Sequence, residues 1–249
     1  MLATALPEPF TWAHDHIHID LGGGAHALFT TRRGGVATGP YASLDLAIGE
    51  GEHDPDAVQT NYARLAGQIG VPRERIVQGR QVHEATVGRV EGPDGIAEAT
   101  DGHATATPRL PLLVLTADCL PVALAADGAV AMLHAGWRGL AAGILAEGVA
   151  ALREVGGAGP VTAAIGPGAG PCCYEVGDEV RTAFADVPGA AQGRHVDLKA
   201  VATAQLRDAG VAHIHDTGLC TMCSDPALFF SHRRDAGVTG RQAGVAWRS

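Results

Sequence analysis

Two stretches decide the fold: LPLLVLTADC (Leu110–Cys119) and GAVAMLHAGWRGLAAGILAEGVAALREVG (Gly128–Gly156). The first is an almost continuous apolar run with β-branched residues, the pattern of a strand buried on both faces. It stops at Asp118-Cys119, before Pro121. The second reads as a strand (Val130–His134), a glycine turn and a helix carrying Leu140, Ile144, Val149 and Leu152. The same grammar, a strand running into a glycine and proline loop, recurs in VTAAIGPGAG (Val161–Gly170). Alternation of this kind makes the class mixed α/β.

Towards the N-terminus, HIHID (His16–Asp20) and HALFTT (His26–Thr31) read as short strands. RRGGVATGPYASLDL (Arg32–Leu46) is a long glycine-bearing loop and a candidate functional surface. Asp54-Pro55 opens a helix with Val58, Tyr62, Leu65 and Ile69 on one stripe, and Gly70 ends it. RIVQGRQVHEATVGRV (Arg75–Val90) alternates and is rich in valine, which predicts strand around Gln81–His83 and puts His83 on a strand or at its end. A helix near Asp197–Gly210, a strand at Val211–His215 and a closing strand at Gly244–Trp247 complete the pattern.

The chain has 249 residues, 46% hydrophobic, 18% charged and 4% aromatic, which fits one self-folding domain over residues 1–249. A formal net charge of -9 with scattered acids offers no basic footprint, so nucleic acid is not an expected partner. No cationic start precedes an apolar core in the first residues, and no apolar run approaches the roughly 18 residues that span a bilayer. A soluble, cytoplasmic protein without a membrane partner is expected. Five cysteines are an odd count and too few for a disulfide scaffold, so they are expected to be mostly reduced.

Zinc takes sulfur and nitrogen ligands, and a catalytic site gives it three of them plus an open position. His83, Cys119 and His134 supply that set near strand ends, where ligands gather in open α/β sheets. From these residues alone, a buried cysteine with two histidines satisfied by backbone partners fits as well. So does a cysteine nucleophile activated by imidazole.

The motifs around them go further. QVH (Gln81–His83), TADCLPV (Thr116–Val122), HAGWRGL (His134–Leu140), IGPGAGPCCYEVG (Ile165–Gly177) and FFSHRRD (Phe229–Asp235) stand in one order, between TTRRGGVATGPYASLDL near the start and TGRQAGVAW at the end. In these motifs the chain resembles, over nearly its whole length, the YfiH-like family, also called the laccase-domain, polyphenol oxidase or peptidoglycan-editing-factor family. The resemblance implies a single-domain α/β/α sandwich with a mixed central sheet. It implies zinc, with copper as the other metal in question, on His83, Cys119 and His134. It also implies phosphorolysis of adenosine, inosine and methylthioadenosine, with adenosine deamination as a second activity. Its other names imply a cell-wall editing hydrolase or a copper-dependent phenol oxidase. Multinuclear copper draws on several His-x-His pairs, and His16-Ile17-His18 is the only one here.

Phosphorolysis needs a cation or an amide nest for phosphate. Arg32 is one candidate, as a bidentate guanidinium, or else a solvated loop arginine. Arg138, opening a helix, is the other, or else it caps a neighbouring strand. Asp118 is read as a general base or as a carboxylate orienting His83 or His134. Glu175 is read as a proton shuttle or as a cap of the following helix. Asp45 stands where the family commonly has an amide, and a carboxylate facing the pocket would repel phosphate. Glu84 after QVH and His232 in FFSHRRD are further departures. Cys172-Cys173 and Cys220-x-x-Cys223 add up to a four-cysteine metal or redox set, but vicinal cysteines rarely ligate one tetrahedral ion together, and that reading is set aside.

Overall fold

Successive side chains of a strand point to opposite faces, and in LLVLT each face meets a different core. Leu112 and Val114 enter one hydrophobic cluster, and Leu113 enters another. The computed structural model describes residues 5–48, 53–93, 96–97 and 99–249. Its strands are β1 (Thr11–Ala13), β2 (His16–Gly22), β3 (Ala25–Phe29), β4 (Val77–Gly79), β5 (Val87–Arg89), β6 (Ile96–Ala97), β7 (Gly102–Thr105) and β8 (Leu112–Thr116). They continue with β9 (Leu120–Asp127), β10 (Ala129–Ala135), β11 (Ala158–Ile165), β12 (Ala191–Gln192), β13 (His195–Val196), β14 (His213–Asp216) and β15 (Gln242–Arg248). The helices are α1 (Pro55–Ile69), α2 (Trp137–Ala141), α3 (Ile144–Glu154), α4 (Asp178–Ala183) and α5 (Leu198–Asp208).

The mixed α/β class holds, and the central β layer is double. One sheet has the order β1-β2-β3-β15-β8-β4-β6 and the other β14-β11-β9-β10-β7-β5, with a separate small hairpin of β12 and β13. Both large sheets mix parallel and antiparallel pairs. They lie face to face over a shared core that takes Ile17, Phe29, Leu112 and Val114 from one and Ala123, Val130 and Met132 from the other. The outer face of the first sheet packs on α1 through Leu28, Leu113 and Val245 against Val58, Tyr62 and Leu65. The outer face of the second packs on α3 and α5 through Leu133 and Ala163 against Leu145, Leu152 and Val201. Among the described residues no helix is long and apolar enough to cross a membrane.

The two sheets approach closely because glycine lies at the contact. A Cβ on Gly166 would stand 2.4 Å from Phe29 Cδ1, and one on Gly244 would stand 2.6 Å from Pro121 Cβ. Helix α1 begins and ends as the sequence predicts: the Asp54 carboxylate caps the N–H groups of Asp56 and Ala57, and Gly70 stops it in the left-handed conformation at φ 71°.

Three local expectations change. Strand β8 ends at Thr116, and Pro121 lies inside β9 as its second residue. Its missing N–H is tolerated at the strand's start, where its carbonyl still accepts from Gly166 N at 2.9 Å. The helix read through Leu140 to Leu152 is two helices, α2 and α3, divided at Gly143, whose φ of 90° breaks the helical run. His83 is on no strand: it occupies the loop between β4 and β5 with φ 65°.

Phe29 is 1% exposed at the centre of the core between the sheets. Phe29→Ala is expected to lower stability by about 3–5 kcal/mol, read as a reduced urea midpoint at unchanged slope.

Candidate metal centre

Strand β10 runs antiparallel to both β9 and β7, so its C-terminal end lies between the beginnings of the other two. That geometry brings together His134 near the end of β10, Cys119 just before β9 and Asp101 just before β7. The register pairs His134 with Pro121 and Leu133 with Gly102. His83 arrives from the loop ahead of β5. One ligand atom each from His83, Cys119 and His134 lies within 4.8 Å of the other two. The two imidazole rings meet edge to face, 4.8 Å between centroids. His134 is buried, Cys119 half-buried and His83 exposed, so the cluster opens outward on the His83 side.

Asp101 organises this cluster, and the sequence reading missed it. Its carboxylate is fully buried. One oxygen accepts from His134 Nδ1 at 2.7 Å and from His83 N at 2.9 Å. The other accepts from Val82 N at 3.1 Å and Glu84 N at 2.9 Å. Burial alone would push the Asp101 carboxyl up, but the His134 bond and the Glu84 and Val82 amides outweigh it and hold it below the usual carboxylate range. An ionised carboxylate only accepts, so His134 Nδ1 carries the proton and Nε2 is left to ligate. Burial likewise opposes charge on Cys119 and His134. Their mutual attraction wins, pulling the thiol down and the imidazole up into a thiolate–imidazolium pair. Such a pair is set to exchange a proton for a cation.

The residues fit a zinc ion. Two nitrogens and a sulfur are its preferred donors, and three of them leave a coordination position open. Space is also reserved: a Cβ on Gly136 would stand 2.9 Å from Cys119 Sγ and 3.3 Å from His83 Cδ2. Glycine in HAGW is therefore a steric requirement of the centre.

The three donors lie in the wall of a cleft of about 850 Å³, lined also by Arg80, Asp118, Tyr174, His232, Arg233 and Arg241. Asp118, held at φ 94°, lines the cleft but does not orient the histidines. Its oxygens accept from Thr221 Oγ1 and Arg233 N, each at 2.7 Å, which pins the FFSHRRD segment beside Cys119.

The remaining sequence candidates lie elsewhere. The Arg32 guanidinium stacks on Phe230 and donates to the carbonyls of Ala42, Pro226 and Pro40, so it fastens its own loop rather than reaching the cleft. Arg138 is exposed and lies over the Trp137 ring. Glu175 pairs with Arg194 at 2.8 Å in a smaller neighbouring cleft, and the cap of α4 is Gly177. Asp45 is buried with one oxygen on the amides of Ala47 and Arg241 and the other on His53, and it does not line the cleft. The cations that do line the cleft, Arg80, Arg233 and Arg241, carried no sequence signal beyond their motifs. The four remaining cysteines also come together: their sulfurs lie within 4.8 Å of one another. Chain distance hid this, because two turns bring the pairs side by side.

Comparison with known proteins extends the geometry. A family model described as multi-copper polyphenol oxidoreductase laccase matches residues 26–249. A purine nucleoside phosphorylase of Mycobacterium tuberculosis is 42% identical over 231 residues, covering 88% of this chain and 90% of the relative. The purine nucleoside phosphorylase YlmD of Geobacillus stearothermophilus is 39% identical over 244 residues, 88% of each chain. Its crystal structure superposes with a TM-score of 0.87 over 97% of this chain and 99% of that one. The hypothetical protein YfiH of Bacillus licheniformis matches with a TM-score of 0.87 at 31% identity, over 98% of this chain and 100% of that one.

Asp101→Asn keeps one acceptor oxygen but removes the charge that holds the His134 tautomer. It is expected to weaken metal binding about 10- to 100-fold, measured by competition with a chromogenic chelator.

Proposed function

Because the chain belongs to the multi-copper polyphenol oxidoreductase laccase family, and relatives at 39–42% identity bear the name purine nucleoside phosphorylase, we propose that it is a zinc-dependent purine nucleoside phosphorylase. Its substrates in this reading are adenosine, inosine and methylthioadenosine, with adenosine deamination as a second activity. The observation that carries the reading is a three-donor centre set in the wall of a nucleoside-sized cleft that three arginines also line.

Zinc on His83, Cys119 and His134 would supply a Lewis acid with an open coordination position. The chain's own residues account for the rest. Arg80, Arg233 and Arg241 give phosphate a cationic seat, replacing Arg32 and Arg138 in that role. Asp118 is a positioning residue that fixes Arg233 through its backbone N–H, and the Arg233 guanidinium lies 5.2 Å over the Tyr174 ring. Tyr174 and Leu115 provide apolar surface for the purine. In phosphorolysis a phosphate oxygen bonds to C1′ as the C1′–N9 bond breaks, and the purine leaves with a proton. Arginines aimed at phosphate raise its local concentration and orient it for that displacement.

Copper oxidation of phenols fits less well. Among the described residues, only two groups hold three or more metal-binding side chains close together, one with two histidines and one all thiol. Neither has the several histidines that multinuclear copper draws on.

Purified enzyme with adenosine and phosphate is expected to release ribose 1-phosphate and adenine, and inosine where deamination runs. No phosphate-dependent product from any of the three nucleosides would refute the phosphorylase reading. His83→Ala is expected to abolish turnover, and Arg233→Ala to raise the KM for phosphate roughly tenfold or more, both by steady-state kinetics.

A further inference from the structure

Strands β11 and β14 are parallel neighbours, and the chains leaving them stay zipped together. Gly168 N donates to Leu219 O at 3.3 Å, and Thr221 N donates to Gly168 O at 3.0 Å. This short ladder ends at two turns, one holding Cys172 and Cys173 and the other Cys220 and Cys223. All five cysteines of the chain are free thiols. Cys172 Sγ lies 3.3 Å from Cys223 Sγ and 3.5 Å from Cys173 Sγ, and the four sulfurs of the two turns lie within 4.8 Å of one another.

Adjacent side chains diverge in an extended strand, but the chain here is in a tight turn. The amides of Cys173 and Tyr174 both donate to Gly170 O at 3.0 Å, which brings the two sulfurs to one side. The buried Cys220 sulfur accepts from Gly170 N at 3.2 Å, and the amides of Met222 and Cys223 hydrogen-bond it as well. A Cβ on Gly170 would stand 3.4 Å from both Cys172 Sγ and Cys220 Sγ, so the glycine leaves that side of the cluster open.

We propose that Cys172, Cys173, Cys220 and Cys223 bind one zinc ion as a tetrathiolate, a second metal site separate from the His83, Cys119 and His134 centre. At a Zn–S distance of about 2.3 Å the corners of a tetrahedron lie about 3.8 Å apart, within the range the sulfurs already span. Four thiolates fill the coordination shell, so the site is structural. Loading releases up to four thiol protons for one divalent cation and needs no oxidant. A disulfide would need one, and its sulfurs would sit at about 2.05 Å. The ion would join the turn carrying Tyr174, which lines the cleft, to the turn carrying Thr221, which holds Asp118.

Elemental analysis of protein produced with zinc in the medium tests this directly. The expected content is two zinc ions per chain for the native protein, one for Cys172→Ser/Cys223→Ser and one for His83→Ala. Both serine replacements lie at exposed positions. Unchanged zinc in the double serine variant would overturn the proposal, whereas unchanged zinc in His83→Ala would count against the other centre alone. Iron in place of zinc would overturn the assignment of the ion. Alkylation of the native protein gives a second measure that needs no variant. The four thiols are expected to resist iodoacetamide until a chelator is added. Labelling without chelator, or recovery of Cys172 disulfide-linked to Cys223, would refute the site.

Discussion

The Asp101 carboxylate accepts four hydrogen bonds from two distant parts of the chain: three from the consecutive amides of Val82, His83 and Glu84, and one from His134 Nδ1. A buried carboxylate without partners would cost several kcal/mol, so neither the turn nor the histidine can be rearranged on its own. The left-handed backbone of His83 is held by those three amides, which is how an unfavourable conformation persists at a ligand position. The His134 amide also donates to the Asp101 carbonyl at 2.7 Å, so the same residue sets both the backbone and the ring of that ligand. The placement of His83 and His134 is thus decided by a carboxylate that is not itself one of the three clustered side chains.

Much of the fold was legible because it depends on local pattern. The double burial of Leu112–Val114, the N-cap at Asp54 and the stop at Gly70 follow from periodicity and capping. What was not legible is non-local. Nothing in LPLLVLTADC says that its two faces meet different cores, and so the doubling of the β layer was invisible. The cluster of His83, Cys119 and His134 was legible through the motifs that hold them. Asp101, in ATDGHAT, looked like a turn residue, because its role appears only when β7 lies beside β10. The clustering of the four other cysteines is non-local in the same way, because Cys172-Cys173 and Cys220-x-x-Cys223 meet only where the turns after β11 and β14 lie side by side.

The loop Arg32–Leu46 shows the converse error. Glycines and a surface position suggested a functional surface, yet the loop is tied down by its own hydrogen bonds and none of residues 32–46 lines the cleft. Arg32 fills its donors with carbonyls, and Asn61 ties it to α1 by accepting from Val36 N and donating to the carbonyls of Ser43 and Asp45. Asp45 in turn holds Arg241, a cleft residue, by its backbone. The loop therefore supports the cleft from behind, through Arg241.

Strand β15 follows every other strand in the chain but occupies the middle of its sheet, between β3 and β8. During synthesis, β1 to β3 and β8 with β4 and β6 emerge as two half-sheets with no backbone ladder between them. Until residue 248 clears the ribosome, the facing edges of β3 and β8 remain unpaired, and the apolar side chains they carry lack part of their cover. Unpaired edges of this kind invite association with other chains. The larger sheet therefore closes only after translation has passed β15, although its two halves are complete long before.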